Sequence, residues 1–74
     1  MSQVLDLRGL TCPLPVLRTK KAMRDVAKGA SLRVEATDPA TQADIPALCE
    51  AAGYKLLDSS EAGGVFIFNI QHPA

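Results

Sequence analysis

Residues 31–36, with the sequence Ser-Leu-Arg-Val-Glu-Ala, decide the fold because their side chains alternate between apolar and polar. A period of two is the pattern of a β-strand that buries one of its faces. A strand covered on both faces would read as a continuous apolar run instead. The segment therefore predicts a strand with helices on one side only. The apolar set is Leu32, Val34 and Ala36, and the polar set is Arg33 and Glu35.

The N-terminal residues 4–7 repeat the same alternation. Leu5 and Leu7 share one parity, whereas Asp6 and Arg8 share the other, and Gly9 follows as a stop signal. We therefore predict a first strand at Val4–Leu7 that lies in the same sheet. The far face of the sheet should be in contact with solvent near these two strands.

Residues 13–28 lie between the two strands and have a helical pattern that Gly29 closes. Pro13 stands at the first helical position, which tolerates proline because the first N–H groups of a helix have no internal partner. Winding the segment at 3.6 residues per turn predicts one core-facing stripe. Its members are Val16, Thr19, Met23, Val26 and Ala27.

A second helix and two more strands complete the pattern. Asp38-Pro39 restarts helical structure, whose main part is predicted from an Asp44 cap to Gly53. Strands are predicted at residues 54–60 and at residues 65–71, joined as a hairpin through Ala62-Gly63-Gly64. The apolar stripe of the second helix consists of Ile45, Leu48, Cys49 and Ala52.

The resulting order is βαβαββ. It predicts an α/β (α+β) two-layer sandwich, in which a mixed four-stranded sheet carries two helices on one face. The 74 residues are expected to form a single domain, residues 1–74, that depends on its 47% apolar content for stability.

Composition excludes several classes of function. Two cysteines and one histidine are too few for a structural zinc site, and no cofactor or metal is expected. No apolar run reaches the length of a membrane span, and the N-terminus lacks the pattern of a secretory signal. We therefore expect a cytoplasmic protein with reduced thiols, which is a monomer when free. The formal net charge of zero argues against direct binding to nucleic acid or membranes.

Cys12 is framed by Thr11, Pro13 and Pro15 at the predicted start of the first helix. The partial positive charge of a helix N-terminus favours thiolate, so Cys12 is the candidate reactive thiol. Pro15 occupies the position where a CxxC motif has its second, resolving cysteine. A dithiol–disulfide cycle of the thioredoxin type is therefore not available within this segment. The alternative is that Cys12 is a small buried apolar residue, the role also predicted for Cys49. His72 is interpreted as a solvated tail residue.

The outer face of the first helix combines two leucines with basic residues. Isolated exposed leucines are common, and a basic run is often only a solvated helix face. Because these leucines stand within two turns of Cys12, we interpret the face as a docking patch for a partner protein, whose acidic rim the basic residues would attract. The patch consists of Leu14, Leu17, Arg18, Lys21 and Arg24, with Lys20 beside it.

The segment LDLRGLTCPLPVLRTKKAM, residues 5–23, resembles the N-terminal signature of the TusA-like (SirA/YedF-like) sulfur carrier family, with its Cys-Pro-x-Pro motif. Residues 36–57, ATDPATQADIPALCEAAGYKLL, resemble the second helix and third strand of that family. The resemblance implies a βαβαββ sandwich and a sulfurtransferase function, in which the cysteine matching Cys12 holds a transient persulfide. A cysteine desulfurase or a rhodanese-like protein would donate the sulfur to it, and an acceptor protein would receive it.

The resemblance leaves the pathway open. Members of the family serve tRNA 2-thiouridine formation, molybdenum cofactor maturation or sulfur oxidation. Several members that act in tRNA thiolation have an acidic residue between the two prolines, where this chain has Leu14.

Two other functions are compatible with parts of the sequence. A one-cysteine thiol-redox protein would need a pocket that activates Cys12, for which Thr11 is available but a basic partner is not assured. An RNA-binding module would need exposed aromatic side chains, yet the chain has only Tyr54, Phe66 and Phe68.

Overall fold

The computed structural model describes residues 3–73. These residues form four strands and two helices in the order βαβαββ, which confirms the predicted fold class. The elements are β1 (Gln3–Leu7), α1 (Leu14–Met23), β2 (Ser31–Ala36), α2 (Thr41–Ala52), β3 (Lys55–Ala62) and β4 (Val65–Gln71).

The four strands form one mixed sheet in the order β1-β2-β4-β3. β1 and β2 are parallel neighbours, whereas β4 pairs antiparallel with both β2 and β3. The register places Leu7 beside Ala36, and Ala36 beside Phe66. Because side chains that pair across strands point to the same face, the apolar residues of β1, β2 and β4 form one continuous apolar face.

Both helices cover that face, and the core lies between them and the sheet. Thr19 is buried within the core, where its hydroxyl donates a hydrogen bond of 2.8 Å to the Pro15 carbonyl and so loses no partner. The buried core cluster consists of Leu7, Met23, Val26, Leu32, Val34, Ala36, Ile45, Cys49, Phe66, Phe68 and Ile70.

The opposite face of the sheet carries the charges that the sequence placed there. The Arg8 guanidinium donates hydrogen bonds of 2.9 Å and 3.0 Å to the two carboxylate oxygens of Asp6. These bonds lower the pKa of Asp6 to about 2. Arg33 and Glu35 form the equivalent pair on β2, at 3.0 Å. The expectation of a polar, solvent-facing side near these two strands is confirmed.

α1 is shorter than the predicted helix of residues 13–28, because tight turns replace helical hydrogen bonding after Met23. The amides of Arg24, Asp25 and Val26 each bond to the carbonyl three residues earlier, at 3.0–3.3 Å. The turns bring Val26 into the core, as predicted, but leave Ala27 exposed. At the start of the helix, the predicted core-facing stripe included Val16 but not Pro15. The structure buries Pro15 and leaves Val16 half-buried.

α2 begins three residues before the predicted Asp44 cap. Asp38 organises this start, since its carbonyl accepts bonds from the Thr41 amide at 3.0 Å and from the Thr41 hydroxyl at 2.6 Å. Asp44 therefore lies inside the first turns of the helix. Ile45, Leu48 and Cys49 are buried as predicted, whereas Ala52 is exposed.

The third strand and the chain end also differ from the prediction. β3 runs over Lys55–Ala62 rather than residues 54–60, with an irregularity in pairing between Leu56 and Asp58. His72 is half-buried and is not a solvated tail residue. Its amide donates to the Ala30 carbonyl at 2.9 Å, and its carbonyl accepts from Gly29 at 3.0 Å.

Candidate functional site

Cys12 lies in the loop between β1 and α1, with an exposed side chain and a free thiol. The helix cap is Pro13 rather than Cys12, so the cysteine stands one residue before the cap and the first helical residue is Leu14. The peptide bond between Cys12 and Pro13 is cis. The loop thus presents the thiol at the start of α1, close to where the sequence predicted it.

Hydrogen bonds within the loop and to the loop after β2 hold the cysteine in place. Within the loop, the Leu14 amide donates to the Thr11 carbonyl at 2.9 Å. From the neighbouring loop, the Thr37 hydroxyl accepts a bond from the Gly9 amide at 2.9 Å. The Asp38 carboxylate accepts a bond from the Cys12 amide at 2.7 Å.

The electrostatic environment of Cys12 raises the pKa of its thiol. The largest cause is the partial exclusion of water around the sulfur, followed by the charge of Asp44 and its hydrogen bond with the thiol, and then by the charge of Asp38. The expectation that the helix end lowers this pKa is wrong. A helix N-terminus supplies only about half a positive charge, whereas each carboxylate carries a full negative charge that disfavours a second anion.

The predicted docking patch is exposed, as expected from the sequence. Leu14 is 40% exposed and Leu17 is 52% exposed, although large apolar side chains usually seek the core. The basic residues around them, Arg18, Lys20, Lys21 and Arg24, are exposed as well. The structure therefore places two accessible leucines and three cationic side chains on the helix that begins beside Cys12, with Arg24 directly after its last residue. Their role in docking stays a prediction.

Asp38 and Asp44 are site residues that the sequence reading interpreted only as helix signals. The parallel pairing of β1 with β2 explains why they reach Cys12. Loops that follow neighbouring parallel strands leave the same edge of a sheet. Cys12 follows β1 and Asp38 follows β2. The sequence predicted both strands but not that they are parallel neighbours, and this pairing is what brings the two residues together.

Other parts of the described structure offer no competing site for sulfur chemistry. Cys49 is 3% exposed within the core, which confirms its predicted burial. Within residues 3–73, no group of three or more His, Cys, Asp or Glu residues is placed to hold a metal ion. A cavity of about 260 Å³ does not have Cys12 in its lining, which consists of Gln42, Ser59, Ser60, Glu61, Phe66 and Phe68.

The described residues thus form a two-layer domain with one exposed thiol, held in a loop, and one buried thiol. Comparison with known proteins agrees with this description. The model of the family described as Sulfurtransferase TusA matches residues 3–72. The chain therefore belongs to the TusA family, and its function is that of a sulfur carrier.

The similarity to individual relatives extends over nearly the whole chain. A protein of Neisseria meningitidis serogroup B is 48% identical over 71 residues, which is 96% of both chains. The sulfur carrier protein TusA of Pseudomonas putida is 44% identical over 71 residues, covering 96% of this chain and 89% of the relative. The SirA-like protein of Desulfitobacterium hafniense has the same fold, with a TM-score of 0.84, 24% identity, and coverage of 97% of this chain and 99% of that one.

No helix in the described part of the chain is both long and apolar enough to cross a membrane.

Proposed function

We propose that Cys12 is the residue that carries sulfur, held there as a transient persulfide. The observation that supports this most directly is the contrast between the two thiols of the chain. Cys12 is exposed in a loop held by Thr37 and Asp38, whereas Cys49 is enclosed in the core. A carrier needs a thiol that two successive partners can reach, and Cys12 meets that requirement.

Two exchange steps of the same kind would load and unload the carrier. In the first, the Cys12 thiolate attacks the outer sulfur of a donor persulfide, the donor S–S bond breaks, and the donor leaves as a thiolate. In the second, a thiolate of the acceptor attacks the outer sulfur on Cys12, and Cys12 leaves as a thiolate. One S–S bond breaks and one forms in each step, so no external oxidant or reductant is needed.

The protonation state of Cys12 is central to the first step. Because its thiol pKa is raised by exclusion of water, Asp44 and Asp38, the resting thiol keeps its proton more firmly than a free cysteine does. The nucleophile is the thiolate, so the donor must help to remove that proton on docking. A persulfide is more acidic than its parent thiol, so the loaded carrier ionises more readily than the empty one.

The donor would dock on the exposed patch of α1. A cysteine desulfurase or a rhodanese-like protein is the proposed donor class, and a relay protein with its own reactive thiol is the proposed acceptor. Leu14 and Leu17 offer apolar contact beside the thiol, while Arg18, Lys21 and Arg24 would attract an acidic rim and speed encounter.

The pathway that receives the sulfur is a separate choice. Transfer RNA 2-thiouridine formation, molybdenum cofactor maturation and sulfur oxidation are the three proposed outlets, all in the cytoplasm. Leu14 makes the surface next to Cys12 apolar, so we propose an acceptor with an apolar contact at this point. Comparing transfer by the wild type and by Leu14→Glu to acceptors from the three pathways would test that choice.

The loading step can be tested by the mass of the intact protein. Incubation without reductant, either with a cysteine desulfurase and cysteine or with a rhodanese charged by thiosulfate, should add the mass of one sulfur atom. The Cys12→Ser variant should gain no mass, whereas the matched control Cys49→Ser should gain as much as the wild type. Equal loading of Cys12→Ser and wild type would rule out Cys12 as the carrier residue.

The alternative functions are less well supported. A peroxide-reducing thiol must ionise without a docked protein to remove its proton, but exclusion of water and the carboxylates of Asp44 and Asp38 favour the protonated form of Cys12. An RNA-binding surface would use exposed aromatic rings, but Phe66 and Phe68 are buried and Tyr54 is half-buried. Peroxide consumption against a Cys12→Ser control, and filter binding of RNA over a salt series, would test the two alternatives.

A further inference from the structure

A single carboxylate joins the cysteine loop to the start of the second helix. One oxygen of Asp38 accepts the Cys12 amide at 2.7 Å, and its other oxygen accepts the Ala40 amide at 3.1 Å. The Asp38 carbonyl in addition accepts both the amide and the hydroxyl of Thr41. Asp38 is therefore fixed by α2 on one side and holds the backbone of Cys12 on the other.

This bridge spans parts of the chain that are far apart in sequence. Cys12 and Asp38 are separated by 26 residues, and the Thr37 hydroxyl makes a second, parallel bond to Gly9 of the cysteine loop. The loop end near β1 is thus held by Thr37, and the end that carries the thiol is held by Asp38. Two consecutive residues after β2 fix both ends of the segment that presents the sulfur.

Asp38 has no cationic partner within residues 3–73, so its charge is balanced by the two amides that it accepts. Bonds from N–H groups to a carboxylate are short and stronger than neutral ones. Its negative charge, however, opposes formation of a thiolate on the adjacent side chain, and Asp44 of α2 acts in the same direction. The residue therefore holds Cys12 in place while making its thiol less reactive toward small reagents.

We infer that Asp38 is a positioning residue for sulfur transfer, because its carboxylate fixes the backbone of Cys12 against α2 at the place where a donor must reach the thiol. The inference rests on the proposed function, since it assigns Asp38 a part in loading Cys12. The hydrogen bond of Asp38 to the Cys12 amide and the negative charge of Asp38 are expected to have opposite effects on the thiol. Loss of the bridge should impair transfer from a protein donor, even though loss of the charge should make the free thiol more reactive.

Three substitutions separate the two contributions. Asp38→Ala removes both the bridge and the charge. Asp38→Asn removes the charge and keeps one carbonyl oxygen, so it can accept one of the two amides but turns an NH₂ group toward the other. Asp38→Glu keeps the charge but displaces the carboxylate by one methylene group. Asp58→Asn on β3, at the opposite edge of the sheet from β1, is the matched control for loss of one exposed negative charge.

Three measurements are made on each variant in a Cys49→Ala background, so that Cys12 is the only thiol. The first is kcat/KM for loading from whichever donor loads the parent protein. The second is the rate of alkylation by iodoacetamide across a pH series. The third is hydrogen exchange of the Cys12 amide, which reports the bridge without any sulfur chemistry.

Asp38→Ala should lose protection of the Cys12 amide and load about 10- to 100-fold more slowly, as expected when a reacting group is misplaced by about 1 Å. Its alkylation at neutral pH should nevertheless be faster than that of the parent. Asp38→Glu should load slowly with little change in alkylation, and Asp38→Asn should load at an intermediate rate. Asp58→Asn should match the parent in all three measurements.

Several results would overturn the inference. Unchanged protection of the Cys12 amide in Asp38→Ala would show that the bridge does not hold the loop, and unchanged loading would show that the bridge does not matter for transfer. If loading and alkylation both became faster in Asp38→Ala, Asp38 would act on Cys12 only through its negative charge. If Asp38→Ala fails to fold, Asp38→Glu and Asp38→Asn decide the same questions. If the parent loads from neither donor, the proposed function itself fails, while amide exchange still reports on the bridge.

Discussion

Replacing Leu17 with glutamate tests whether the exposed patch on α1 is a docking surface. Leu17 is 52% exposed on α1, so roughly half of its side chain is already buried in the free protein. Leucine and glutamate have similar helix propensities, and the new carboxylate would stand four residues before Lys21, a favourable spacing for an ion pair. The free energy of unfolding should therefore fall by at most about 1 kcal/mol, the contribution of the buried half of the leucine side chain.

The effect on docking should be larger than the effect on stability. Burying a complete leucine side chain contributes about 1.5–3 kcal/mol. Since 52% of Leu17 is exposed in the free protein, a partner can recover roughly half of that, or about 1 kcal/mol. That free energy corresponds to about fivefold in a dissociation constant. Burying a carboxylate in an apolar contact adds a further penalty, so fivefold is the minimum expected loss.

The assay is kcat/KM for sulfur loading, measured beside the melting temperature. Leu17→Glu should load at least about fivefold less efficiently, with a melting temperature within about 8 °C of the wild type. Leu57→Glu is the matched control, because Leu57 is 46% exposed on β3 rather than on α1, and it should load normally. Normal loading of Leu17→Glu would refute the docking patch, and a large drop in melting temperature would mean that Leu17 belongs to the core.

Three further predictions follow from the core, the site and a helix end. Cys49→Ala should lower the free energy of unfolding by about 1 kcal/mol, the cost of a methyl-sized cavity, and leave loading unchanged; rapid alkylation of Cys49 in the native protein would contradict its burial. The alkylation of Cys12 should have its pH midpoint above that of an unstructured peptide of the same sequence, because its pKa is raised; a lower midpoint would contradict the role of Asp44 and Asp38. Gly53→Ala should cost about 1 kcal/mol in a thermal melt, since Gly53 ends α2 at φ 80°, and a stability equal to wild type would show that this helix end relaxes freely.

The raised pKa values also set the direction of stability with pH. Cys12 and Cys49 both have a thiol pKa raised by exclusion of water, with carboxylates adding to the effect at Cys12. A raised native pKa means that the folded protein holds these protons more tightly than the unfolded chain does. The stability that the protonated thiols add to the folded protein is fully present below the ordinary thiol pKa. It is lost as the pH rises through the raised pKa of the folded protein. The melting temperature should accordingly fall in alkaline solution, and less steeply in Cys49→Ala.

The order of the elements could be predicted from the sequence because it depends on periodicity. Leu32, Val34 and Ala36 alternate with charged residues, and the structure buries the apolar three and leaves the charged two on the other face. The ends of the helices were less predictable, because they depend on local hydrogen bonds. Asp38 starts α2 through its carbonyl and carboxylate, whereas the sequence predicted a helical restart at Asp38-Pro39 but the main part of the helix only from Asp44.

The site was predicted in part for a similar reason. Cys12 was found from its prolines, and the exposure of Leu14 and Leu17 from helical winding, which both depend on residues near in sequence. The carboxylates of Asp38 and Asp44 were missed because they reach the thiol through the parallel pairing of β1 and β2. Local reasoning supplied the helix dipole alone and therefore gave the wrong direction for the pKa of Cys12.

The most direct test of the account is to locate the sulfur on the loaded protein. The wild type is incubated with a donor in the absence of reductant, its persulfide is trapped by alkylation, and the digested peptides are fragmented in a mass spectrometer. The additional sulfur should be found on Cys12, and it should disappear when the loaded protein is treated with an acceptor thiol before trapping. Sulfur found on Cys49, or an unmodified Cys12 after treatment with both a desulfurase and a rhodanese, would contradict the account.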